Sequence, residues 1–146
     1  MTDFEIAHLR LHNQHIAGDK FERPADVVAW LGAIQAQDYL SALWAVGLRM
    51  RSAVEADIEQ TLANRTIIRI WPMRGTLHFV AAADVRWMLE LLTPRVVADN
   101  AQRILRQFDL DEREFARSKD LFERALEGGK QLTRNVMGNF LARRLC

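Results

Sequence analysis

The sequence predicts a mainly helical chain with one small β-hairpin. Three observations carry that expectation. Apolar residues recur at helical spacing through most of the 146 residues, punctuated by capping residues, Pro and Gly. The period changes once, at "TIIRIW" and "GTLHFV", where β-branched and aromatic residues flank "PMR" and read as two strands and a turn. Three short helices run into this hairpin, the order of a winged helix-turn-helix.

The elements follow from local chemistry. Thr2 and Glu5 form a T-x-x-E capping box, and Phe4, Ala7 and Leu11 share one face of the first helix. The loop "GDKFERP" ends it, and Pro24 opens the next helix, with Val27, Val28, Leu31 and Ile34 facing a core. Leu43, Val46, Gly47 and Met50 mark a third helix. Ser52 and Glu55 read as a second capping box before Val54, Ile58 and Leu62, so residues 53–64 are the expected recognition helix. Pro72 suits a turn or sheet edge.

Beyond the hairpin, Val85, Met88, Leu89 and Leu92 mark a helix that Thr93-Pro94 should stop, with Pro94 opening another that turns Val97, Ala101, Ile104 and Phe108 inward. Asp111 and Glu114 cap a helix carrying Phe115, Phe122 and Leu126, which Gly128-Gly129 end. Thr133 caps the last, with Val136, Phe140 and Leu141 on its buried side. The expected organisation is a winged-helix unit at residues 1–80, a helical segment at 81–130 and a truncated second winged-helix unit starting at 131–146. An unfinished unit would expose apolar surface and invite self-association.

Composition excludes several classes. No apolar run approaches the roughly 20 residues that span a bilayer, and "MTDFEIAHLR" lacks a signal-peptide core. The single Cys146 provides neither an internal disulfide nor a Cys-based zinc site, so a reducing, cytoplasmic setting is expected. His8, His12 and His15 share a helix face, but a solvated polar face explains them better than a metal; no metal and no cofactor is expected. A net charge of +1 argues against a strongly basic nucleic-acid glove, so DNA affinity must come from local placement. Trp30, Trp44 and Trp87 sit in apolar stripes and read as core. The sign-alternating "DLDEREFARSKD" reads as a solvated helix.

The segment "AIQAQDY" places Gln35 and Gln37 two residues apart, followed by Asp38. On a helix such residues point about 200° apart. In an extended segment they share one side. If the helix ends near Ile34, the two amides face one cleft, while Asp38 is suited to cap the next helix. Amides also serve routinely to satisfy loose backbone groups at a helix exit. In the hairpin, Arg69 shares a strand face with Trp71, and Thr76 shares one with His78. Arg69 and Arg74 are candidates to grip DNA phosphates, and His78 to line a site near the glutamines. Trp71, Leu77, Phe79 and His78 equally suit simple packing.

Three stretches, "LRLHNQHIAG", "VVAWLGAIQAQDYLSALWAVGLR" and "IIRIWPMRGTLHFVAAADVRWMLELLTPR", resemble the winged-helix DNA-binding family that includes the bacterial AlkZ-type DNA glycosylases. The resemblance covers roughly residues 6–95 and is to the N-terminal portion, since family members combine tandem winged-helix units with a β-rich region. It implies double-stranded DNA as partner, and DNA repair by excision of alkylated bases and unhooking of interstrand crosslinks. It also implies a catalytic Gln-(aliphatic)-Gln motif, matched by Gln35, Ala36 and Gln37. A sister branch has Asp at the second position; this chain keeps Gln there and adds Asp38 one step later. Read by themselves, the residues leave open a winged-helix DNA-binding module without catalysis, or a fragment that contacts protein.

Overall fold

The computed structural model describes residues 1–108 and 111–145, side chains at 99, 102, 105, 144 and 145 aside; Cys146 lies outside them. The chain divides into two compact units, Met1–Val96 and Val97–Cys146. Unit 1 holds α1 (Asp3–Asn13), α2 (Pro24–Leu31), β1 (Ile34–Gln35), α3 (Tyr39–Gly47), α4 (Glu55–Ala63), β2 (Ile67–Met73) and β3 (Thr76–Ala81). Then come α5 (Val85–Phe108), α6 (Glu112–Leu126) and α7 (Arg134–Leu145). The fold is mainly helical with a small antiparallel sheet, and unit 1 has a winged-helix-like order. Among the described residues no helix is long and apolar enough to cross a membrane.

The sheet has three strands, one more than the hairpin predicts, in the order β1-β3-β2. The extra strand is the glutamine segment itself. Helix α2 stops at Gly32, whose φ of 75° is a left-handed turn that a side chain would strain. That turn frees the chain two residues before β1. Ile34 then pairs with Phe79, and Gln35 with His78. Val27, Val28, Ile34, Ala36, Leu43, Val46, Ile58, Ile67 and Phe79 close the core between α2, α3, α4 and the sheet.

Several local expectations are corrected. Helix α4 starts two residues later than a Ser52 cap would place it. Val54 is its N-cap residue, and the Val54 N–H donates to Asp57 Oδ2 at 3.1 Å. Pro94 does not open a helix but lies inside α5. Pro94 and Glu90 are both exposed, so the carbonyl one turn back, which loses its N–H partner, can turn to solvent. The tryptophans are not core. Trp44 is 68% exposed beside Leu40 and Val54, and Trp87 is half-exposed with its indole N–H on Asp84 Oδ1 at 2.7 Å. Trp30 stands half-exposed with Phe21 and His15, their rings 5.8 and 4.5 Å away. Smaller neighbours such as Ala42 and Val46 fill the interior, leaving the bulky indoles half in water. His15 is held in that aromatic group, with Nδ1 2.9 Å from the Asp19 carbonyl.

In unit 2, Asp111 and Glu114 form the expected capping box, with bonds of 2.7 and 2.9 Å. Leu121 and Met137 are buried between α6 and α7, whereas Val97, Phe108, Phe115 and Val136 are half or more exposed, contrary to their inward reading. Their apolar stripes are wider than the surface two short helices offer each other.

Candidate active site

The backbone is a strand at Ile34–Gln35 and bends at Gln37, and burial alternates along it: Ile34 and Ala36 are buried, Gln35 and Gln37 exposed. Both amides are thus at the surface, Gln35 in β1 and Gln37 just past its end. Their states differ. Gln35 makes no hydrogen bond among the described residues, whereas Gln37 is held at both ends.

Its anchoring comes from an exchange of partners in the ladder. The Ala36 N–H donates to the Leu77 carbonyl at 2.7 Å. The return bond, Leu77 N–H to the Ala36 carbonyl, is not made. Leu77 N–H donates instead to Gln37 Oε1 at 3.2 Å. The Ala36 carbonyl accepts from Arg69 Nε and Nη2, at 3.0 and 2.8 Å, and Arg69 Nη2 also reaches the Gln37 carbonyl at 3.3 Å. Two side chains thus replace one backbone pair. Arg69, expected at a phosphate, has its guanidinium engaged inside the unit.

Tyr39 supports this clamp. Its ring lies beneath Arg69, 5.4 Å from the guanidinium carbon, and meets the Phe79 ring edge-on at 6.0 Å. Its hydroxyl donates to Glu59 Oε1 at 3.3 Å. Burial first, and then the Glu59 carboxylate, hold the phenol's pKa above its ordinary value. The phenol thus stays neutral at physiological pH.

His78 is buried opposite Gln35, with Nδ1 2.9 Å from the Thr76 carbonyl. A carbonyl only accepts, so Nδ1 carries the proton; in the neutral ring Nε2 is left as an acceptor. Arg74 stands exposed at the hairpin tip beside Gly75, with no partner among the described residues. Asp38 caps α3: Oδ1 accepts from Ser41 N–H at 3.3 Å and Oδ2 from Ser41 Oγ at 3.0 Å. With both oxygens engaged it is poorly placed as a base. Among the described residues no group of three His, Cys, Asp or Glu side chains is arranged to hold a metal ion.

The structure thus gathers Gln35, Gln37, Arg69 and His78 around β1 and β3, with Arg74 at the tip. The sequence reading missed Tyr39 and the Leu77 N–H. A backbone donor has no residue-type signal, and the Arg69 clamp spans 33 positions. Arg69→Lys keeps the charge but not the planar fork, and is expected to lower stability by about 1–2 kcal/mol in chemical denaturation. An unchanged midpoint would show that the clamp carries no weight.

A mainly helical unit closed by a small sheet, with two exposed amides at the end of the sheet's short edge strand, is a scaffold that presents neutral polar groups and little acid–base chemistry. The chain belongs to the AlkZ-like DNA glycosylase family, whose family model matches residues 28–145, from α2 through α7. No curated protein and no solved structure matches it significantly.

Proposed function

We propose that the chain binds double-stranded DNA and hydrolyses the N-glycosidic bond of alkylated or crosslinked bases, with water positioned by Gln35 and Gln37. The observation that carries this reading is the pair of exposed amides at the end of β1, one anchored and one without a partner among the described residues, in the chain of a DNA glycosylase family. Alkylation at a purine N7 makes the base cationic. As the bond from C1′ to the base breaks, its electron pair neutralises the base, which leaves without needing an acid. Positive charge develops on the sugar, where the Gln35 carbonyl dipole stabilises it. A water held by the amides adds to C1′ and loses its proton to solvent. One preorganised polar group of this kind is worth about 2.7–4 kcal/mol. Neither amide can act as a strong base, which restricts the reaction to good leaving groups.

The second reading, a DNA-binding module without catalysis, is favoured by one bond: Leu77 N–H already occupies Gln37 Oε1, so that amide has a structural task. Incubation with duplex containing N7-methylguanine, followed by an assay for abasic sites, separates the two. Hydrolysis predicts abasic sites that disappear in the Gln35→Ala, Gln37→Ala double variant. Duplex binding without abasic sites supports the module.

A further inference from the structure

We infer that duplex DNA docks on the β2–β3 wing, through Arg65, Arg74 and Trp71, and that α4 is turned away from phosphate. The inference rests on the proposal that DNA is the substrate and adds which surface meets it.

Helix α4 occupies the expected recognition position, yet its charge is wrong for a groove. Glu55–Ala63 contains Glu55, Asp57 and Glu59 and no Lys or Arg. None of the three carboxylates is in an ion pair among the described residues. Asp57 accepts from the Val54 N–H and Glu59 from the Tyr39 hydroxyl, which leaves their negative charge in place. Laid in a major groove, this face would meet phosphates of the same sign.

The wing has the opposite character. Elsewhere in unit 1, Arg23, Arg51 and Arg86 are paired with Asp26, Glu22 and Glu90, and Lys20, Arg49 and Arg69 donate to main-chain carbonyls; Arg10 and Arg95 are exposed without a side-chain partner among the described residues but lie in regular helix, on α1 and α5. Arg65 and Arg74 flank the two ends of β2, exposed and without partners among the described residues. Both have left-handed backbone, with φ of 63° and 56°. Asn or Gly adopts that conformation with less strain, and a strained residue without an internal role points to an external one. Arg65 ends α4 where glycine is the common choice, and Arg74-Gly75 forms a hairpin turn that Asn-Gly would suit better.

Between the two arginines the strand bulges. Ile70 pairs with His78 and Met73 with Thr76, so Trp71 and Pro72 together oppose Leu77. Pro72 is buried and Trp71 is 63% exposed. A bulge re-aims a side chain, and here it presents an indole to solvent. Leu77 is the residue whose N–H holds Gln37. Trp71 therefore lies level with Leu77, about 5 Å away across one strand spacing. An exposed indole between two free guanidiniums suits a nucleic acid: the cations take phosphates, and the ring takes the face of a base next to the reacting nucleotide.

The test is fluorescence anisotropy of a short fluorescein-labelled duplex containing N7-methylguanine, across a salt series, with circular dichroism confirming the fold of each variant. Arg65→Asn with Arg74→Asn, which relieves backbone strain, should weaken binding at least about 10-fold and lower the salt slope by about 2, at about 0.9 per phosphate contact. Trp71→Ala should weaken binding by about 10-fold with the slope unchanged. Glu55→Ala with Gln60→Ala, on α4, should leave binding equal or tighter. Arginine variants that bind like the unaltered chain, or α4 variants that lose binding, overturn wing docking while leaving DNA as the substrate. Failure of the unaltered chain to bind any duplex at low salt overturns the DNA reading itself, and this inference with it.

Discussion

Phe79→Ala is expected to cost the fold about 3–5 kcal/mol, the range for removing a fully buried aromatic ring. Phe79 has no exposed surface and sits on β3, the central strand, paired with Ile34 on one side and Arg69 on the other. Its ring also meets Tyr39, on which the Arg69 clamp rests. Truncation opens a cavity where the core and the glutamine segment join. Against a typical domain stability of about 5–15 kcal/mol, such a loss takes a large fraction of the whole. Urea denaturation followed by far-ultraviolet circular dichroism measures it. A loss below about 1.5 kcal/mol would mean that β3 is not the centre of the core.

The second large effect is on catalysis, and it separates the two glutamines. Gln35→Ala should reduce base release by about 100- to 1,000-fold, the range for loss of one preorganised polar group. Its amide has no partner among the described residues, so stability should change by less than about 0.5 kcal/mol. Gln37→Ala should reduce release comparably and also cost about 1 kcal/mol, because Leu77 N–H loses its acceptor. Paired measurements of release rate and urea midpoint distinguish the residues. Equal midpoints for both variants would show that the Leu77 bond contributes nothing.

Much of the frame was legible because its causes are local. The change of period at "TIIRIW" marks β2, Asp38 caps α3, and Asp111 with Glu114 caps α6. The glutamine segment could be read as extended only on the condition that the helix ended near Ile34; α2 ends at Leu31 and Gln35 lies in β1. That this segment forms a strand was not legible, because two residues carry no period; β3 makes it one by pairing. The clamp was hidden for the same reason. Arg69 reads as a free cation until Ala36 and Gln37 are brought beside it. Trp30, Trp44 and Trp87 were misread because periodicity marks a face without stating how much partner surface covers it. The acidity of α4, by contrast, was in plain sight. Its meaning needed the helix placed in the position where a recognition helix would lie.

Neutral amides suffice for base release only because the leaving base already carries positive charge under the proposed mechanism. Single-turnover release of N7-methylguanine against hypoxanthine, an uncharged base, from otherwise identical duplexes tests this most directly. Release of the cationic base is expected at a rate at least about 1,000-fold above the other, since neither amide replaces the missing charge. Comparable release of both would require an acid that the site does not offer, and release of neither would remove the hydrolase reading.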